Sequence, residues 1–146
     1  MWRTSPERTG WRHEELSRRH RRLWGFDCPA VDVDWLVVEY DSYQPAALVE
    51  YKLKGGEIPD VDDPNRRALT ALADRADVPL LLVEYRLDFS AWRVTPWNDA
   101  ACRTVPLRCV LDEVGYVRLL YRLRGRELPN EIERRLLLHE EAPGAV

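Results

Sequence analysis

"DVDWLVVEYDSYQPAALVEYK" (residues 32–52) decides the fold of this chain. Two runs rich in Val, Tyr and Leu, "VDVDWLVVEYD" (31–41) and "AALVEYKL" (46–53), flank the turn segment "DSYQP" (41–45). That pattern predicts two strands in an antiparallel hairpin. Strand side chains alternate, so Glu50 and Lys52 share one face of the second strand, and Asp32 and Asp34 share one face of the first. A turn centred near Tyr43 puts Asp34 at the level of Glu50 to Lys52. Opposed residues in a hairpin lie about 4.5–5.5 Å apart at Cβ. Two carboxylates and one ammonium therefore converge on one sheet face. The lysine is unusual in this chain: of 22 basic residues only Lys52 and Lys54 are lysines, the rest being arginine.

The trio has a chemical reading. Two close carboxylates repel unless a cation sits between them. Mg²⁺ is a hard ion that takes one or two protein carboxylates and keeps waters or phosphate oxygens in its remaining positions. Such an ion polarises a phosphodiester and acidifies its bound water. A neighbouring lysine adds a compact point charge that a planar guanidinium does not replace. The competing reading is a plain Glu50–Lys52 ion pair on a solvent-exposed strand, which is common and weak.

Working outward, Ser5, Pro6 and Glu7 predict a helix start, continuing to about Leu23 and ended by Gly25. The segment 61–77, "VDDPNRRALTALADRAD", predicts a second helix with Asp63 as cap and Pro64 in the first turn, its inward stripe formed by Ala68, Leu69, Leu72 and Ala76. "VPLLLVEYRL" (78–87) reads as a strand buried on both faces, and "AWRVTPW" (91–97) as a further short strand. "GYVRLLYRLRG" (115–125) is ambiguous between helix and strand. "PNEIERRLLLHEE" (129–141) predicts a last helix, with Asn130 and Glu133 at capping-box spacing. The whole is an α/β domain, residues 1–146, with a mixed sheet flanked by helices.

On these residues the chain resembles the PD-(D/E)xK nuclease superfamily, the restriction-endonuclease-like fold. In that family an Asp on one strand is followed, across a hairpin, by Glu-x-Lys in the next. Asp34, Glu50 and Lys52 match those positions, and the resemblance implies that the carbonyl of Tyr51 joins the metal shell. The family core runs helix, three-stranded meander, helix, strand, and the match extends from the first helix to about Leu87. Two departures stand out: residues 25–31 leave little room for a first meander strand, and Val33 takes the place of the proline before the first acid. Some members add a carboxylate from the first helix, for which Glu15 is the candidate and Glu14 the second. Asp32 is a candidate outer acid. The phrase "WRVTPWNDAA" (92–101) resembles a recurring tail of small phage and bacterial proteins with this core, and lends Asn98 no catalytic role.

The resemblance implies a metal-dependent nuclease using Mg²⁺ or Mn²⁺ and acting on DNA, with recognition of structure or ends in so small a chain. The alternative is a non-catalytic nucleic-acid or protein binding module on the same fold. Arg18, Arg19 and Arg22 in "RRHRR" (18–22), with Lys54, Arg66 and Arg67, are candidates for phosphate contacts. A second arginine cluster comprises Arg118, Arg122, Arg124 and Arg126. The net charge of −3 argues against a general nucleic-acid coat while leaving room for a local basic patch. A homodimer would suit a two-strand substrate. No apolar run approaches the roughly 20 residues of a membrane span, and the polar N-terminus does not read as a signal peptide, so a cytoplasmic protein is expected. There is no phosphate-loop motif for a nucleotide cofactor. "HEELSRRH" (13–20) starts like a zinc motif, but Ser17 stands where the second histidine is needed. Three cysteines without a CxxC pair predict buried, reduced thiols.

Overall fold

The computed structural model describes residues 18–25 and 27–139. The chain divides into two compact units, one up to Asp32 and one from Val33 onward. In the first, Arg19–Leu23 forms a π-helical turn, and Gly25 leaves it with φ +95°, a conformation that costs a side-chain-bearing residue energy. The helix start expected at Ser5, and Glu15 with it, lie outside the described residues.

The second unit is α/β. Its five-stranded mixed sheet is flanked by helices, with β1 (Trp35–Glu39), β2 (Gln44–Leu53), β3 (Leu80–Tyr85), β4 (Trp92–Pro96) and β5 (Cys109–Leu111) side by side in that order. β1 and β2 form the expected antiparallel hairpin, Trp35 facing Val49 and Val37 facing Ala47. The pairing then slips between Val37 and Val38, so that Val38 faces Pro45 and Ala46 is the extra residue. Proline has no N–H for a ladder and tolerates such a bulge, which lets β2 begin two residues before the predicted Ala46. Tyr43 closes the turn with φ +57°. β1 is shorter than the predicted 31–41.

β2 and β3 run parallel, Glu50 level with Leu82 and Lys52 with Glu84. Parallel neighbours need a crossover, here α1 (Pro64–Ala76). Asp63 caps α1 by accepting from the amides of Asn65 (2.9 Å) and Arg66 (3.2 Å). The inward residues of α1 are Leu69 and Ala73, whereas Leu72 of the predicted stripe is 47% exposed and Ala68 and Ala76 face solvent. The helix turns that way because Arg66, a helical turn before Leu69, lies over the Trp97 ring at 4.2 Å and donates to the Pro59 carbonyl at 3.1 Å.

β4 and β5 complete the sheet as antiparallel neighbours. Between them lies α2 (Asp99–Thr104), and after them α3 (Glu113–Leu123) and α4 (Asn130–Leu138). α3 settles the ambiguous segment as helix, with Asp112 accepting from the Gly115 amide at 2.7 Å. One sheet face buries Val49, Leu81, Val83 and Val94 against Ala101, Val105, Tyr116 and Leu119 of α2, α3 and the link between them. By alternation the opposite face carries Leu48, Leu80 and Leu82 beneath α1, and beyond them Glu50 and Lys52.

The predicted capping box of α4 does not form. Asn130 is already the first helical residue, and Glu133 pairs with Arg118 at 2.8 Å instead of turning back to the cap. The thiols also differ from expectation. All three are free, but Cys28 and Cys102 are exposed and Cys109 is half-buried, because Cys102 falls on the outer side of α2 and Cys28 in a turn.

Asn98 ties three elements together. Its Oδ1 accepts from the amides of Leu80 and Ala101, both at 2.9 Å, capping α2 and the start of β3 at once. Its Nδ2 donates to Asp74 Oδ1 and the Val78 carbonyl, both at 3.0 Å. Asn98→Ala strands two amides and a carbonyl at a buried position. A loss of about 2–4 kcal/mol is expected, measured as a lower urea midpoint at unchanged slope.

Candidate functional site

The site forms where β1 starts late. β1 begins at Trp35, so the Tyr51 amide of β2 lies just past the end of the hairpin ladder. Asp34 fills the gap: its Oδ2 accepts from the Tyr51 N–H at 3.0 Å. A backbone donor that would otherwise lack a strand partner thus fixes the carboxylate in place. Continuing the register from Trp35 and Val49 sets Asp34 opposite Glu50. Lys52, two residues on, lies on the same face, with Nζ 3.7 Å from Glu50 Oε1.

The structure therefore brings Asp34, Glu50 and Lys52 together. Glu50 is the more covered of the pair with Lys52, its side chain 16% exposed against 33%. Burial first, then the charge and hydrogen bond of Asp34, push the Glu50 carboxyl from 4.5 up to about 7, against the pull of Lys52. One nearby ammonium does not offset the second carboxylate and the desolvation together. That imbalance is what a divalent cation would relieve, and the donor set suits a hard ion because it is all oxygen. Among the described residues no group of three or more His, Cys, Asp or Glu side chains is assembled, so the pair would leave most of a cation's positions to water or substrate oxygen.

The other predicted residues spread out. Asp32 is exposed and precedes β1 instead of lying within it. Arg18, Arg19 and Arg22 are exposed in the first unit, and Lys54 and Arg67 are exposed in the second. Arg66 lies over the Trp97 ring and donates to the Pro59 carbonyl, at the start of α1. The second arginine cluster is largely neutralised. Arg124 and Arg126 pair with Glu39, at 3.4 and 2.9 Å, and Arg126 also reaches Asp41, around a wide cleft that Tyr40 and Tyr121 line. Those pairs hold the Glu39 carboxyl below its usual range, chiefly through the Arg126 hydrogen bond. The cleft sits at the turn end of the hairpin, away from Asp34.

Sequence reasoning missed two site neighbours. Glu84, level with Lys52 on β3, is 8% exposed within a run read as wholly apolar. Arg93 of β4 lies level with Glu84 and pairs with it at 3.8 Å. The repeated triplet Val-Glu-Tyr, at 49–51 and again at 83–85, was the available signal. On the reverse face Tyr51 joins an aromatic cluster, its hydroxyl bonded to that of Tyr116 while Trp92 stacks on Tyr116 at 4.6 Å. Burial raises both tyrosine hydroxyls. This packing makes β2 a rigid carrier for the residues on its other side.

Comparison with known proteins gave no match to a family model, to a curated protein or to a solved structure. Among the described residues no helix is long and apolar enough to cross a membrane.

Proposed function

We propose that this chain is a metal-dependent nuclease of the PD-(D/E)xK type, hydrolysing phosphodiester bonds of DNA. The observation that carries the reading is the Asp34–Glu50 pair beside Lys52 on one sheet face, with Glu50 pushed to about 7 by burial and its neighbour. Opposite faces would have excluded it, and a fully exposed surface pair would not leave the Glu50 side chain only 16% exposed. The sheet supports the restriction-endonuclease-like fold in part. A hairpin carrying the acids, a helical crossover and a parallel strand follow the family core from its second meander strand on. The described residues contain no strand for the first position.

Asp34 and Glu50 would hold Mg²⁺ or Mn²⁺, with the Tyr51 carbonyl beside them. When bound, such an ion neutralises phosphate charge and lowers the pKa of its water. Lys52 then orients the attacking water through its ammonium. It also balances the negative charge that builds on the phosphate oxygens as the water oxygen bonds to phosphorus and the sugar oxygen departs. The products are a phosphate monoester and an alcohol. Exposed cations, Lys54 and Arg67 in this unit and Arg18, Arg19 and Arg22, would supply phosphate contacts that weaken as salt rises.

The test is cleavage of plasmid, linear, single-stranded and four-way-junction DNA with Mn²⁺ or Mg²⁺. Cleavage that requires the metal and stops on chelation supports the nuclease. Nucleic-acid binding by folded protein without cleavage of any substrate would leave the binding module.

A further inference from the structure

The face that carries Glu50 and Lys52 continues beyond them. Alternation along β2 places Glu50 and Lys52 on it about 6.6 Å apart, and Lys54 follows in the turn just past the last strand residue, Leu53. Across the sheet at the Lys52 level lie Glu84 and Arg93, and past the strand ends come Lys54, Arg86 and Ala91. Lys54, Glu84, Arg86, Ala91, Arg93 and Val110 line a cavity of about 170 Å³. At about 30 Å³ per water this is the space of five or six waters, enough for a phosphate group with part of its hydration.

The charge of the cavity points the same way. Three cations and one acid line it. Lys54 has no ion-pair partner among the described residues, Arg86 reaches only the exposed Asp88 at 3.9 Å, and Arg93 approaches Glu84 at 3.8 Å. Arg93 carries five N–H donors, and one long ion pair leaves most of them free. Glu84 is 8% exposed and pairs with Arg93, so it presents little charge of its own to a ligand. Ala91 is the smallest lining residue, so a larger side chain there would take up cavity space.

We propose that this cavity is a phosphate-binding site, formed by Lys54, Arg86 and Arg93. It seats the substrate-strand phosphate next to the one at Asp34 and Glu50. The assignment to the substrate strand rests on the nuclease reading; the cavity and its cations do not. Arg93 binds in the fork geometry that matches phosphate oxygens, Lys54 and Arg86 add charge from the rim, and Glu84 is a positioning residue for Arg93.

The experiment uses inorganic phosphate as the first probe, followed by the arginine Nε–H signals of the full chain. Saturable shifts are expected at Arg93 and Arg86. The Arg93 shift should vanish in Lys54→Ala/Arg86→Ala and in the cavity-filling Ala91→Leu, and both shifts should persist in Asp34→Asn. No shift at Arg93, or the same Arg93 shift in the double variant, overturns the site. The second probe is a short DNA duplex bound in Ca²⁺ at several salt concentrations. The double variant should bind about tenfold more weakly, with the slope of log K against log salt reduced by about one. Unchanged DNA binding in a double variant of an active nuclease overturns the site alone. Phosphate binding by a protein that neither binds nor cleaves nucleic acid overturns the substrate assignment together with the nuclease reading.

Discussion

Lys52→Ala should lower metal-dependent cleavage by on the order of 10²–10⁴-fold, the range for removing a group that positions or relays protons in the transition state. Stability should hardly change, because the Lys52 side chain is one third exposed and its pairing with Glu50 spans 3.7 Å. Lys52→Arg is the informative partner. It keeps the charge, but a planar fork cannot sit as a point charge between Glu50 and the attacking water. Most of the loss should therefore remain. If Lys52→Arg restores full activity, the lysine supplies only general charge; if Lys52→Ala keeps it, the site lies elsewhere. Metal binding should survive in both variants, since Lys52 is not a ligand.

The second large effect is on stability against pH without metal. Glu50 is raised from 4.5 to about 7 in the folded chain, so the native state holds its proton more tightly than the unfolded state. The sign follows from linkage: this stabilisation is complete below about pH 4.5 and is lost as pH rises through 7. Allowing for solvent at a partly open site, the loss should be on the order of 1–3 kcal/mol. Denaturant melts at pH 5 and pH 8 measure it. Glu50→Gln should flatten the profile and leave the metal-free protein more stable than wild type at pH 8, because the repulsion with Asp34 is gone. A wild-type profile that rises from pH 5 to pH 8 and is unaltered by Glu50→Gln would contradict the proposed repulsion. Saturating Mn²⁺ should also remove the loss, since a bound cation favours the ionised pair and stabilises only the native state.

The hairpin and the crossover helix were readable because their signals are local. Val, Tyr and Leu around "DSYQP" specify strands and a turn, and Asp63-Pro64 specifies a helix start. The convergence of Asp34, Glu50 and Lys52 was readable for the same reason, since alternation along one hairpin sets its register. What failed depended on distant packing. The inward stripe of α1 was misassigned because Trp97, some thirty residues away, takes up Arg66. α2 and β5 are too short to carry a periodic signal, six and three residues long. Asn98 carries no local sequence signal for its structural role, because its four hydrogen bonds reach across to Asp74, Val78 and Leu80 as well as to Ala101. Glu84 hid in an apolar run because its neutralising partner, Arg93, comes from the next strand.

Titration of Mn²⁺ into the wild-type chain and into Asp34→Asn, read by calorimetry, tests the central claim most directly. The predicted result is saturable binding by the wild type at neutral pH, weaker at pH 5 where Glu50 holds its proton, and lost in Asp34→Asn with the fold intact. Absence of binding in the folded wild type, or equal binding by the variant, would contradict a metal centre built on Asp34 and Glu50.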